Sequence, residues 1–372
     1  MNRIPTIAHF RADFGRISQT FIYDLIVGIP GQRAVLVYRE NLDSDDEFPL
    51  PAYSVRTAID FKEPDASIDS LADTLRDRGV NLIHAHFGYD LPLAALVANR
   101  LQLPLVATFH GADASSFAGR YKWQAIYRTV LPQVDAIVLI DPGKVDRLVS
   151  LGARPERIHH IPLGIDLDFW ELARRSAGGT VMRILSVGRL VEKKGHDVLI
   201  HAIGRAVRDG LDTTLVIAGD GPEERLLQEL IRAYDLEERV TLAGRLDRQQ
   251  IRELMRDADV FALASHTTPD GDQEGSPVVL MEAMSMGLPV LSTRHADIAS
   301  VVKDGSTGIL VEEGNIDDLV GGLRQIANMR DRWREMGRAG RRWVRAHRNR
   351  EAVLERWRAL YEHVLLAEMV AI

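Results

Sequence analysis

Glu274 and Glu282 stand eight residues apart in the segment Asp272 to Leu291, with Gly275, Ser276, Pro277 and Val278 between them. Ionised carboxylates are good acceptors for sugar hydroxyls, and the free amides at a helix start are good donors to a phosphate. The apolar stretch Val278 to Met281, continued by Ala283, Met284 and Met286, reads as a buried helix opened by Ser276 and Pro277 and closed by Gly287 and Pro289. Glu274 then lies in the loop before the helix and Glu282 on it. With a rise of about 1.5 Å per residue the two carboxylates are roughly 8 to 12 Å apart. That spacing suits gripping two ends of one elongated polar ligand better than sharing a proton. Carboxylates for hydroxyls and amides for phosphate together describe a sugar nucleotide.

A second constellation carries the opposite charge. In Ile184 to His196 a strand ends at Gly188, and Arg189 and Lys194 follow in a loop that runs into a helix near Gly195. An arginine can hold two phosphate oxygens and a lysine supplies a compact point charge, so the loop suits a diphosphate and the charge that builds as it leaves. Gly219 and Gly221, in Ala218 to Glu224, read either as a nucleotide-binding turn or as a plain strand-to-helix turn. Gly244 and Arg245 end the next strand, where an amide and a carbonyl could read a base edge. Asp270 and Asp272 match a D-x-D metal pattern, but Pro269 beside them favours a turn.

The first half offers histidines. His110, in Thr108 to Asp113, closes a strand and should project from the carboxyl edge of its sheet, with Gly111 allowing a sharp turn. A histidine there can hydrogen-bond a sugar hydroxyl near the reacting carbon without acting as a general base. His84 and His86 share one face of a strand and read as acceptor contacts; a metal site is the weaker alternative, since no carboxylate cluster stands by to complete it. Gly15 and Arg16, after the first strand, suggest a weak phosphate loop.

These residues need elements to position them. Ile4 to Phe10, Ala34 to Tyr38, Asn81 to Phe87, Leu103 to Phe109, Ala136 to Ile140 and Arg157 to Ile161 read as strands with helical-period segments between them. Near-continuous apolar strands of this kind imply a parallel sheet covered on both faces, with ligands at the carboxyl ends. The alternation starts afresh after the polar, Gly-containing stretch 171–180, with strands expected at Arg183 to Val187, Thr214 to Ala218, Val240 to Leu242, Val260 to Ala264, Pro289 to Ser292 and Gly308 to Val311. The expected organisation is a domain over 1–170, a second over 181–349, and a C-terminal helix over 350–372.

Composition sets outer bounds. The 372 residues suffice for two domains, each with its own core. The net charge of -7 gives no reason to expect nucleic acid as partner. The absence of cysteine excludes disulfides, thiolate metal sites and a cysteine nucleophile. No uninterrupted apolar run of about 18 residues is present, and the N-terminus lacks a long signal-like apolar core, so the expected location is cytoplasmic. Residues 330–350 carry nine arginines against Asp331 and Glu335. They read either as a solvated helix face or as a peripheral contact with anionic lipid at the inner face of the membrane.

Taken together, Ser18 to Ile22, His84 to Gly88, Thr108 to Asp113, Gly188 to Gly195, Ala218 to Pro222 and Glu274 to Ala283 resemble the retaining GT-B glycosyltransferases of the E-x7-E family, glycosyltransferase group 1. The resemblance spans nearly the whole chain and is nearest to bacterial exopolysaccharide glycosyltransferases of the colanic acid and amylovoran type. It implies an α/β GT-B fold of two Rossmann-like, doubly wound parallel-sheet domains facing a central cleft, with acceptor held by the first and donor by the second. By matching positions, His110 and Glu274 fall at the reacting sugar. Gly15, Arg189, Lys194, Arg245, Gly275, Ser276, Pro277, Val278 and Glu282 fall on the donor, with Glu282 at the ribose. His84, His86 and Asp113 fall on the acceptor side. The resemblance also implies a nucleotide-diphosphate sugar as co-substrate, UDP as the favoured carrier, a glycan or lipid-linked acceptor, retention of anomeric configuration, and no metal or other cofactor. One departure is clear: His295 to Val301 stands where relatives have a Gly-Ile-Pro-Glu-like segment, and Ser300 replaces the carboxylate. The alternatives are a sugar-nucleotide epimerase on the same fold and a non-catalytic nucleotide-sugar-binding partner.

Overall fold

The computed structural model describes residues 4–14, 20–41, 50–57, 63–173 and 179–371. The chain divides into two units, one of Met1–Gly164 with Glu351–Ile372 and one of Ile165–Arg350.

In the first unit the strands are β1 (Thr6–Phe10), β2 (Asp13–Phe14), β3 (Arg33–Tyr38), β4 (Glu40–Asn41), β5 (Ser54–Arg56), β6 (Leu82–His86), β7 (Leu105–Phe109), β8 (Ala136–Leu139) and β9 (Ile158–His160). Seven of them form a parallel sheet in the order β5-β3-β1-β6-β7-β8-β9, while β2 and β4 pair separately. Successive side chains of a strand point to opposite faces, and both faces here are apolar. Ile7, Leu82, Val106, Ala136 and Val138 pack on one side against Val353, Leu354, Trp357, Leu360, Tyr361 and Val364 of the C-terminal helix Arg350–Ala371. Ala8, Ile83, Ala107, Ile137 and Leu139 pack on the other, against Leu71 and Leu75 of the helix Pro64–Asp77 and Leu91, Ala94 and Val97 of the helix Leu91–Leu101.

The second unit holds β10 (Met182–Val187), β11 (Thr213–Ala218), β12 (Val240–Gly244), β13 (Val260–Leu263), β14 (Val290–Thr293) and β15 (Gly308–Val311), all parallel, in the order β12-β11-β10-β13-β14-β15. Each expected strand is present within about two residues of its expected bounds; β5 and the β2/β4 pair are additional, too short to give a periodic signal. The division between units falls ahead of the 171–180 stretch. Residues 165 onward are tied to the end of the second unit, where the Ile165 amide donates to the Arg348 carbonyl at 2.7 Å and Arg350 pairs with Asp166 at 2.6 Å.

In both sheets the winding reverses once, between β1 and β6 and between β10 and β13. Loops leaving the carboxyl ends of two such strands diverge to opposite faces and leave a crevice in which ligands of doubly wound sheets bind.

Candidate active site

In the second unit the loops leaving β10 and β13 meet through charge. Lys194 Nζ lies 2.9 Å from Glu274 Oε1, both side chains largely buried, and the neighbouring Lys193 donates to Asp272 at 3.1 Å and to the Gln273 carbonyl at 3.2 Å. Burial alone would push the Glu274 carboxyl above its ordinary pKa. The Lys194 and Lys193 ammonium groups and the hydrogen bond from Lys194 outweigh it and hold the pKa below the ordinary value. Glu274 is therefore a buried, fixed and ionised carboxylate. The glycine at 195 is required here: its φ is +63°, and a Cβ would lie 2.0 Å from the Ala264 carbonyl oxygen, so only glycine lets the lysine loop close on the end of β13.

Immediately after Glu274, the helix Val278–Ser285 begins with Pro277 as N-cap residue and no side-chain cap. Its first amides have no side-chain acceptor, and Ser276 Oγ is buried without a partner. Gly275, Ser276 and Val278 are half-buried, Pro277 is buried, and Glu282 sits half-buried on the helix. Arg189 is exposed on the loop after β10. That loop is braced by the 218–222 turn, since Leu190 N–H donates to the Asp220 carbonyl at 2.8 Å and Glu223 N–H to the Leu190 carbonyl at 3.1 Å. Gly219 has φ +149°, and a Cβ there would meet the Gly188 carbonyl oxygen at 1.9 Å. The Gly-Asp-Gly turn is thus a strut for the Arg189 loop. Arg245 is exposed at the end of β12, but the Gly244 carbonyl already accepts the Gly219 N–H at 2.8 Å and has that partner in place of a base edge.

The D-x-D carboxylates are spent locally. Asp270 accepts the Thr268 hydroxyl at 2.6 Å, the Thr268 amide donates to the Asp272 carbonyl, and Asp272 pairs with Lys193. This is the turn expected from Pro269.

The first unit gives its strand-end polar residues different surroundings. His110 is half-buried, its ring between Phe21 and Phe87 with centroids 5.1 and 4.4 Å away, and neither of its buried ring nitrogens has a partner. Burial, assisted by the Arg11 charge, lowers its pKa to about 3, so the imidazole is neutral across the working range. Asp113 does not face outward. Its carboxylate accepts the amides of Gly88, His110, Gly111 and Ala114 at 2.9 to 3.1 Å, and it shapes the loop that carries His110. His84 is likewise internal, because it shares the face of Leu82 that the C-terminal helix covers. One ring nitrogen meets the Tyr361 hydroxyl at 2.7 Å and the other Thr108 Oγ1 at 2.6 Å. The polar atoms of His84 and Asp113, expected as acceptor contacts, bond groups of the fold. His86 is fully buried, with Nε2 3.0 Å from His9 Nδ1 and its own Nδ1 unpartnered. Gly15 and Arg16 lie outside the described residues.

Among the described residues, one group, His9, His84 and His86, has nitrogens close enough to hold a metal ion. The nitrogens of His84 meet Tyr361 and Thr108, His9 and His86 meet each other, and burial lowers the pKa of all three. Sequence reasoning missed His9, whose partnership follows from the β1–β6 register that sets it opposite His84. It also missed the buried Arg11–Asp90 pair at 3.5 Å, in which burial raises the Asp90 pKa to about 8 against the pull of Arg11. Asp90 accepts the Ala12 amide as well, tying the end of β1 to the start of the Leu91–Leu101 helix. Lys193 and His295 were the other omissions.

The nine arginines of 330–350 have divided duties. Arg341 donates to the carbonyls of Trp170, Ser285 and Leu167, Arg330 reaches the Gly179 and Thr180 carbonyls, and Arg348 is buried over Trp343. Arg334, Arg338, Arg342 and Arg345 of the helix Trp333–His347 are exposed.

Comparison with known proteins agrees with this architecture. Residues 173–343 match the family Glycosyl transferases group 1, and residues 21–169 match Glycosyltransferase Family 4. A Salmonella typhimurium protein named for colanic acid biosynthesis, the glycosyltransferase WcaL, is 36% identical over 250 residues, 66% of this chain and 61% of that protein. The amylovoran biosynthesis glycosyltransferase AmsK of Erwinia amylovora is 35% identical over 248 residues, 65% of this chain and 60% of that protein. The chain thus spans about three fifths of the length of these relatives. Among solved structures, Anabaena Alr3699/HepE in complex with UDP superposes with a TM-score of 0.81 at 17% identity, covering 96% of this chain and 100% of that one. The chain has the GT-B fold, with residues 21–169 similar to Glycosyltransferase Family 4 and residues 173–343 similar to Glycosyl transferases group 1.

Proposed function

We propose that the chain transfers a hexosyl unit from a nucleotide-diphosphate sugar to a glycan or lipid-linked acceptor, with a UDP-sugar as the favoured donor and retention of anomeric configuration. The setting of this reading is cell-surface polysaccharide assembly, in the cytoplasm. The observation that carries it is the buried Lys194–Glu274 pair at the two strands flanking the winding reversal, directly before an uncapped helix N-terminus. An ionised carboxylate fixed in this way accepts from sugar hydroxyls. Lys194 gives one N–H to Glu274 and has two left for phosphate oxygens. Arg189 and the amides of Gly275, Ser276 and Val278 extend the same anion site, and Glu282 takes the ribose.

In the reaction the bond from the anomeric carbon to the phosphate oxygen breaks and a bond to the acceptor oxygen forms on the same face. The acceptor proton passes to the departing phosphate oxygen. Lys194 and Arg189 offset the charge that grows on the diphosphate. His110, neutral and unpartnered, hydrogen-bonds a substrate group without transferring a proton. The names of WcaL and AmsK and the UDP bound to HepE support the reading. The engagement of Asp270 and Asp272 within their own turn favours transfer without a divalent ion.

Calorimetric titration of the purified protein with UDP-, GDP- and ADP-sugars, followed by transfer assays with and without EDTA, tests this. A UDP-sugar is expected to bind and EDTA to leave transfer intact. No binding by any of the three overturns the reading, and activity abolished by EDTA and restored by a divalent ion assigns Asp270 and Asp272 to a metal.

A further inference from the structure

Glu274 is held at a second point. Its backbone N–H donates to His295 Nε2 at 3.1 Å, and His295, only 1% exposed, lies just beyond β14. A ring nitrogen that accepts an N–H carries no proton, so the imidazole proton sits on Nδ1, where it is donated to the Glu313 carboxylate. Glu313 in turn accepts the Thr267 amide at 3.0 Å and the Thr267 hydroxyl at 3.1 Å. Burial opposes its ionisation, but the hydrogen bonds from His295 and Thr267 hold its pKa below the ordinary value. One carboxylate after β15 thereby gathers the loops after β13 and β14.

We propose that His295, fixed in one tautomer by Glu313, is a positioning residue that sets the main chain at Glu274 while Lys194 sets its side chain. This inference rests on the proposed role of Glu274 toward the donor sugar. The two anchors do separable work. Lys194 contributes charge and touches phosphate, whereas His295 touches no ligand and determines where the carboxylate starts from. Replacing His295 with a group that cannot accept leaves the Glu274 amide buried and unpaired and releases the loop between Thr267 and Gly275. Replacing it with glutamine keeps an acceptor within reach of that amide.

The test compares His295→Phe, His295→Gln and Glu313→Gln in three measurements: affinity for UDP alone, kcat and KM for transfer from the UDP-sugar, and hydrogen exchange of the peptide containing Glu274. In His295→Phe, transfer should fall by roughly ten- to a hundredfold, the size of effect that a misplaced reacting geometry produces. UDP affinity should fall much less than transfer, because Lys194 and Arg189 keep their phosphate contacts even where the amides of Gly275 and Ser276 follow the displaced main chain. Exchange at the Glu274 peptide should accelerate. His295→Gln should recover much of the loss, and Glu313→Gln should fall between. Equal losses in UDP affinity and transfer would reduce His295 to a packing residue. A glutamine variant no better than the phenylalanine one, or unchanged transfer in all three, would also overturn the proposal. If the wild-type chain binds none of the UDP-, GDP- and ADP-sugars, the functional reading fails; unaltered exchange in His295→Phe instead removes the anchor itself.

Discussion

In the middle of β6, His84 spends both ring nitrogens on the Tyr361 and Thr108 hydroxyls, while in the loop after β13 Glu274 spends its charge on Lys194 and its amide on His295. Both residues are buried, one within and one beyond a strand of a doubly wound parallel sheet, yet their surroundings differ in kind. The groups around His84 are neutral, and burial lowers the pKa of His9 and His110 to about 3. The second unit buries a carboxylate and keeps it ionised with two ammonium groups. Neutral networks that satisfy themselves stabilise a fold; a buried ion pair brings little net stability but holds charge ready at a defined place. Chemistry at phosphate and hydroxyl groups is therefore expected to be more sensitive to changes around Glu274, and stability to changes around His84.

Substitution at Glu274 gives the largest expected effect on activity. Glu274→Gln preserves shape and an acceptor for Lys194 but removes the charge, and transfer should fall roughly 10²- to 10³-fold, the size of losing one preorganised electrostatic contact. Circular dichroism should be unchanged. Wild-type rates would remove Glu274 from the site. His84→Phe should act oppositely. It leaves two buried hydroxyls without partners, at a cost of about 2–4 kcal/mol in urea unfolding, while UDP affinity holds. Reduced acceptor use at unchanged stability would return His84 to a binding role.

Lys194→Met sharpens the comparison through pH. The Glu274 pKa is held below the ordinary value, so its ionised form is present above the ordinary glutamate pKa and is lost only as pH falls through the depressed one. Removing Lys194 leaves burial pushing upward, so the acid limb of the rate profile should move to higher pH, with weaker binding of UDP. An acid limb that stays in place would mean that Lys193 alone keeps the carboxylate charged.

Strand periodicity and the glycines and prolines that punctuate it made the two sheets legible, because short apolar β-branched runs in alternation with helices have few other solutions. Glu274, Lys194 and the helix after Pro277 were legible because their chemistry is local to short motifs. The partners were less so. Tyr361 lies 277 positions from His84, and only the packing of the C-terminal helix on the Leu82 face brings them together. His295 and Glu313 meet Glu274 through the order β13-β14-β15, a pairing that no local pattern encodes. Asp113 had the look of a strand-end ligand group, but four converging amides claimed it.

The same contrast between spent and available charge recurs within a single helix, Trp333–His347, and there the expected effects are smallest. At about 100° per residue, positions 334, 338, 341, 342 and 345 fall within one arc of that helix, and all five are arginine. Arg341 is spent on three carbonyls, including Ser285 at the end of the helix that carries Glu282, so Arg341→Ala should lower stability. The exposed four leave their charge to solvent. In a chain with a net charge of -7 this local excess suits an anionic lipid surface, each arginine near such a surface adding about 1 kcal/mol. No helix among the described residues is long and apolar enough to cross a membrane. Replacing Arg334, Arg338, Arg342 and Arg345 with serine should change stability by under about 0.5 kcal/mol per site and abolish sedimentation with vesicles containing phosphatidylglycerol. Sedimentation that persists in the quadruple variant, or that is equal with purely zwitterionic vesicles, would leave those arginines as a solvated face only.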